Sequence, residues 1–434
     1  MSRPLANAPH SMFRSLKNRN YRLYFFGQGV SLIGTWMQQI ALSWLVYRLT
    51  HSEFMLGLTA FSGQIPAFIA TPFAGALADR MNRHKLLILS QSLAMLQALV
   101  LAGLTLSGTI HVGWIIAMGV VMGLITALDM PTRQAFVIEM VEEPHALNNA
   151  IALNSSLINV TRLIGPAIAG FLVAWTGEGI CFLINGLSYI AVIVALCMMR
   201  IKPRQRAAEQ APLLQHMTEG FRYAFGFAPI RALLLYMAAI SLVGMPYAVL
   251  MPVFAKDIFH GNAQTLGLLM GASGIGALAS ALLLANRKNV LGLGRWIIGA
   301  SGIFGLGLIA FSLSHSLLLA LPFMVMVGFG VMLQLGATNI VLQTIVDEDK
   351  RGRVMSLYTM AFIGMAPFGS LLAGSLAAKI GVSQVLLYSG ILCLLVGWWF
   401  ASQMPKIREA ARPVYVAKGL MEEVPAPIPI SEAE

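Results

Sequence analysis

A run of closely spaced charges, Gly75-Ala-Leu-Ala-Asp79-Arg80-Met-Asn-Arg83-His-Lys85, sits between two apolar segments that are each long enough to cross a bilayer. At a membrane edge, ionised side chains have two uses. They set topology, or they form ion pairs that break and re-form as helices move. Topology follows basic residues and owes little to acids, so Asp79 points to the second use. Asp129 and Arg133 lie one turn apart at the end of a later segment, within expected reach of Arg80. Arg162 is the one charge deep inside an apolar segment. A charge at that depth costs at least ~2.5 kcal/mol on insertion scales, so it faces a cavity as a rule. It either binds an anionic ligand group or helix-end carbonyl, or knits helices together by hydrogen bonds. Gln28, Ser31, Thr35, Gln38 and Gln39 recur three and four apart and share a helix face. Asn154, Asn159, Tyr247, Gln334 and Asn339 would complete a polar wall around a cavity, or each makes an interhelical hydrogen bond instead. No carboxylate lies at the depth of Arg162, and the 8 histidines fall outside the apolar segments or at their edges. Asp129, with Glu139 behind it, is therefore the candidate proton carrier.

The elements that must hold these groups follow from composition. Of 434 residues, 57% are hydrophobic and 11% charged, against about 25% charged in soluble domains. Twelve apolar stretches are long enough to span, at 23–47, 54–78, 86–107, 112–130, 148–175, 179–199, 232–255, 263–286, 294–314, 317–338, 354–378 and 382–403. They must be helices, because lipid leaves each backbone amide to be satisfied within its own segment. The fold class is therefore an all-α membrane protein. The net charge of +11 is no nucleic-acid signature. Only Arg48, Lys256 and Lys379 lie in odd-numbered connections, Arg162 lies in a span, and every other Lys and Arg lies in even-numbered connections or the tails. That asymmetry places both termini in the cytoplasm. The 3 cysteines all fall within spans, without metal-ligand spacing. Neither a Walker lysine motif nor a nucleophile constellation occurs, so no enzyme, no cofactor and no ATP hydrolysis are expected. The 25 methionines suit an adaptable surface or serve as filler.

The chain divides into a cytoplasmic segment 1–22, a six-helix bundle 23–199, a linker 200–231, a second six-helix bundle 232–403 and a disordered tail 404–434. Leu213, Leu214, Met217, Phe221 and Phe225 recur at helical spacing, which predicts a helix lying on the membrane surface. Gly75-Ala-Leu-Ala78 recurs as Gly276-Ala-Leu-Ala279, and Ala169-Gly170 with Gly177 recurs as Ala373-Gly374 with Gly381. These echoes suggest that the halves are repeats.

The 75–85 run resembles the signature loop between helices two and three of the major facilitator superfamily. Arg162-Leu-Ile-Gly165-Pro166-Ala-Ile-Ala-Gly170 resembles its antiporter signature, G-P-x-x-G-G, with Ala169 in place of the first closing glycine. Asp129-Met-Pro131-Thr-Arg133-Gln-Ala-Phe and Arg351-Gly-Arg353-Val-Met-Ser resemble the branch holding the enterobactin exporter and macrolide efflux proteins. The likeness runs over about residues 12–403.

The resemblance implies a twelve-helix fold in two six-helix pseudo-repeats, and a secondary exporter of small amphiphilic molecules across a bacterial-type inner membrane by alternating access. It implies proton coupling, a monomer, and small-molecule, proton and lipid partners. Gly75, Asp79, Arg80, Arg83, Asp129 and Arg133 would latch the halves on the cytoplasmic side. Asp79 would there meet the partial positive charge of the helix beginning near Val354, worth about 0.3–1 kcal/mol. Arg162, Gly165, Pro166 and Gly170 would shape helix five. Gln28, Thr35, Gln38, Gln39, Asn159, Arg162, Tyr247 and Gln334 would line the cavity. Two rival readings stand beside this one: a facilitator of lysophospholipid or other lipid, and a non-transporting receptor or assembly factor on the same fold.

Overall fold

The computed structural model describes residues 14–141, 144–201, 213–287 and 289–421, and these are helical with no strand among them. The helices are α1 (Arg19–Thr50), α2 (Glu53–Arg80), α3 (Arg83–Leu106), α4 (Val112–Met140), α5 (Pro144–Thr176), α6 (Glu178–Cys197), α7 (Leu213–Gly226), α8 (Ala228–Val243), α9 (Tyr247–Val253), α10 (Ala263–Ala285), α11 (Leu293–Ser312), α12 (Leu317–Ile345), α13 (Arg351–Ile363), α14 (Ala366–Ile380) and α15 (Val382–Ala417). Among the described residues, 11 segments are long and apolar enough to cross a membrane. Helix α1 is not one of them, because its polar stripe dilutes its hydropathy although it is 32 residues long.

Turns between helices are set by local chemistry. Asn82 caps α3 by accepting from the Lys85 amide at 3.1 Å, which stops α2 and restarts the chain in two residues. Gly177 and Gly381, at φ 81° and 88°, make the sharp returns into α6 and α15 that a side chain would strain. Two expected spans are broken midway, at Gly244-Met245-Pro246 and at Gly364-Met365-Ala366-Pro367. In each, proline withholds the amide that would continue the ladder. Ser241 donates to the Phe362 carbonyl beside the second break and so ties the two broken spans together.

Helices α1–α6 pack among themselves, as do α8–α15, and the two groups meet along α2–α14 and α5–α10. Glycine makes both seams. A Cβ on Gly57 would lie 2.5 Å from the Ser370 carbonyl oxygen and 3.1 Å from the Gly374 Cα. One on Gly170 would lie 2.7 Å from the Ala263 oxygen and 2.8 Å from the Gly267 Cα. Without side chains in the way, backbones approach closely enough for dispersion to hold them. Both seams lie toward the end of the molecule that carries the α1–α2 and α5–α6 turns. At the opposite end the groups part. A Cβ on Gly75 would meet nothing within 4 Å, and Phe73 is 70% exposed.

Two expectations need correction. The tail is not disordered from residue 404, since α15 runs on to Ala417 with Met404, Ile407 and Ala411 buried at helical spacing. The Lys418 ammonium then donates to the carbonyls of Thr344 and Val346 at 2.6 and 3.2 Å. Residues 422–434 lie outside the description. Helix α7 forms where amphipathicity predicts, yet it packs on the second group rather than only on a lipid surface. Arg353 pairs with Glu219 at 2.9 Å, and the Tyr223 hydroxyl donates to Asp347 at 3.0 Å. Burial there raises the Tyr223 pKa above its ordinary value.

The seam gives a direct contrast. Gly57→Leu should lower stability by about 1–3 kcal/mol through overpacking. Gly75→Ala should be neutral or stabilise by up to about 1 kcal/mol through helix propensity. Thermal unfolding of the purified protein in detergent reads both, and equal losses would contradict the seam.

Candidate functional site

A cavity of about 240 Å³ lies between the two helix groups, just beyond the seams. Trp36 and Gln39 of α1, Gln64 of α2 and Arg162 and Pro166 of α5 line one side. Met245, Tyr247, Met270, Ser273, Val331, Ala366 and Ser370 of the second group line the other. Arg162 is half-buried, with its guanidinium carbon 5.6 Å from the centre of the Trp36 ring. Gly165 places that ring, because a Cβ there would lie 2.4 Å from the Trp36 Cβ. The Tyr247 hydroxyl and Ser273 hydroxyl share a hydrogen bond at 3.0 Å. Both broken spans reach the cavity, at Met245 and at Ala366.

Of the expected lining residues, Gln39, Arg162 and Tyr247 are in place. Gln28, Thr35, Gln38 and Gln334 are not. Gln38 donates to Gln97 of α3 at 3.1 Å and accepts from Asn185 of α6 at 2.8 Å. Thr35 donates to the Ser31 carbonyl at 2.9 Å, Gln28 is 2% exposed, and Gln334 accepts from the Tyr236 hydroxyl at 2.6 Å. The helix-one stripe exists as a face, but that face turns into its own group and only its edge, Gln39, reaches the cavity. The Asn159 side chain lies outside the description. Trp36, Gln64 and Ser273 escaped sequence reading. Trp36 carried a usable signal, being an aromatic flanked by the polar stripe.

The charged residues sort differently from expectation. Asp129 Oδ1 accepts from the Ser90 hydroxyl at 2.8 Å and the Gln91 amide at 2.6 Å, both on α3, while Oδ2 pairs with Arg133. Tyr24 of α1 and Tyr189 of α6 adjoin this pair. Arg83 pairs with Glu139 at 2.8 Å. All these contacts stay within the first helix group. Arg80 is exposed at the end of α2 and does not reach Asp129, whose oxygens are already taken. The Asp79 side chain lies outside the description. In this conformation Arg80 therefore does not join the groups, which are apart at that end.

What does join them with polar contacts lies at the seam end and was missed from sequence. The Tyr47 hydroxyl of α1 donates to Asp257, in the π-helical turn after α9. Lys256 lies 5.8 Å from the Tyr47 ring centre and 3.4 Å from His51 Nε2. Arg48 makes a two-point pair with Glu178 at 2.8 and 3.0 Å, which fixes the end of α1 to α6.

Known proteins resemble this arrangement. A family model described as transmembrane secretion effector matches residues 10–423. The staphyloferrin A transporter of Staphylococcus aureus is 27% identical over 389 residues, which is 89% of this chain and 97% of that protein. Macrolide efflux protein A of Streptococcus pyogenes is 26% identical over 88% of this chain and 96% of its own length. Among solved structures, an inward-facing, unoccupied bacterial homolog of the human lysosomal transporter Spinster superposes with a TM-score of 0.67 at 16% identity, over 97% of this chain and 100% of that one. At that identity the likeness is one of fold.

Asp129→Asn removes the counter-charge of Arg133. It should cost about 3 kcal/mol, whereas Arg80→Ala should stay within about 0.5 kcal/mol. Thermal melts of the two variants check this, and a neutral Asp129→Asn would show that the pair is not structural.

Proposed function

Because this chain belongs to the transmembrane secretion effector family, within the major facilitator superfamily of transporters, we propose that it is a secondary exporter of small amphiphilic molecules, working by alternating access. One observation carries the reading: two helix groups enclose a cavity, touch at one end through glycine backbones, and part at the other. A fixed receptor has no use for that asymmetry. Tight packing at both ends would suit it better.

On this reading α1 is a twelfth crossing. At 1.5 Å per residue its 32 residues reach about 48 Å, enough to span. The two helix groups are six-crossing repeats. Gly170 and Gly374, which echo one another in sequence, make the two seams. The basic asymmetry of the loops puts the parted end and both termini in the cytoplasm of a bacterial inner membrane. The structure then represents the cytoplasm-open state of a monomer surrounded by lipid. In the outward-open state the 75–85 run closes the cytoplasmic end, with Asp79 and Arg80 meeting groups on α13. Efflux against a gradient needs a driving force, and the proton gradient supplies it. Asp129 is the carboxylate placed within a span to take a proton, at the cost of releasing Arg133, and Glu139 stands behind it with Arg83. The staphyloferrin A and macrolide relatives support a siderophore-type or drug-type cargo.

Efflux-deficient bacteria expressing the chain should retain less of at least one cargo from a panel of siderophores and macrolides, and a protonophore should abolish the difference. Asp129→Asn should remove most of the effect at matched protein levels. A wild type that changes no cargo's retention, in cells where it reaches the membrane, would contradict export.

A further inference from the structure

Arg162 stands in the cavity without the partner that a structural arginine would have. Among the described residues, its assigned contact is the Trp36 ring, and no carboxylate or carbonyl lies within hydrogen-bond distance. Carboxylates elsewhere in the helix groups already have partners. Asp129 is held by Arg133, Ser90 and Gln91, Glu139 by Arg83, and Asp257 by Tyr47. The described lining holds no acid to balance the charge. Five N–H donors, fixed in a fork that matches carboxylate and phosphate, are therefore left to whatever enters.

Much of the rest of the wall is apolar, beside the polar groups of Gln39, Gln64, Tyr247, Ser273 and Ser370. Trp36 presents its ring, and Met245, Met270 and Val331 supply adaptable apolar surface. We infer that the cavity takes an anionic amphiphile: a carboxylate or phosphate forks onto Arg162 while an apolar or aromatic portion lies against Trp36 and the methionines. This deepens the transporter reading above and rests on it for the meaning of cargo, although the binding claim stands alone. A cationic amphiphile of the same shape meets the guanidinium in a low-dielectric site with no counter-charge, and is rejected.

The test is equilibrium binding to the purified full-length chain in zwitterionic nanodiscs, corrected against empty nanodiscs. The probes are 1-pyrenebutyrate, its cationic counterpart 1-pyrenebutylammonium, and lysophosphatidylglycerol. The anionic pyrene should bind at least about tenfold tighter than the cationic one. Arg162→Gln should weaken the anion about ten- to hundredfold and erase the preference. Arg162→Lys should keep the preference with part of the affinity, and Trp36→Leu should weaken both pyrenes alike. Lysophosphatidylglycerol binding more tightly than pyrenebutyrate, and losing affinity in Arg162→Gln, would uphold the anion site and identify its source as a lipid headgroup. Equal or tighter binding of the cation, or an anion affinity unchanged in Arg162→Gln, would overturn the inference. Should Arg162→Gln fail to fold, the charge preference of the wild type and of Arg162→Lys decides. Charge-selective binding without export in cells would sink the exporter reading and leave the anion site standing. Export of a cation without anion binding would do the reverse.

Discussion

The contact on which the rest depends is backbone against backbone, where Gly57 meets Gly374 and Gly170 meets Gly267. In lipid there is no hydrophobic force to drive one helix onto another, so association rests on close packing and a few polar bonds. Glycine pairs give that closeness without interlocked side chains. Such a seam is held by many weak dispersion contacts, and it can open without stranding a buried charge. The polar crossings at this end, Tyr47 to Asp257 and Lys256 to His51, add orientation beside it. Each helix group meanwhile keeps its own packing, with Phe136 and Tyr189 fully or nearly buried in the first and Tyr236, Phe304 and Phe400 in the second. On the exporter reading, the groups move as bodies while the seam changes.

The charges divide by the same logic. Asp129 with Arg133, Glu139 with Arg83 and Glu178 with Arg48 are neutralised inside the first group, where they stiffen it. Among the described lining residues of the cavity between the groups, Arg162 is the charged one, with a ring for company. A charge kept at such depth carries a standing free-energy cost. The site is best understood if a ligand, rather than the protein, supplies the missing anion.

Much of this was legible in the sequence, for identifiable reasons. Hydropathy located the spans because lipid admits little else. Arg162 stood out because it was the one charge at depth, and Asp129 and Arg133 because four residues make one helical turn. Periodicity also identified the stripe on α1, but it says which residues share a face and not which neighbour that face meets. Hence Gln38, bound to Gln97 and Asn185, was expected in the cavity. The Gly-Met-Pro and Gly-Met-Ala-Pro breaks were present in the letters, and they went unread because each span kept enough apolar length to pass as one helix. Partners far apart in the chain, such as Trp36 for Arg162 or Asp257 for Tyr47, have no local signature at all.

The central claim is that the closed and open ends exchange. Paired spin labels test it most directly, in a background lacking Cys181, Cys197 and Cys393. One pair sits at the seam end, on Phe54 and Leu376, and the other at the parted end, on Leu77 and Ser356. Distance distributions in proteoliposomes, with and without a proton gradient, should show the first pair lengthening as the second shortens. Distances at both ends that stay fixed, or that change in the same direction, would contradict alternating access.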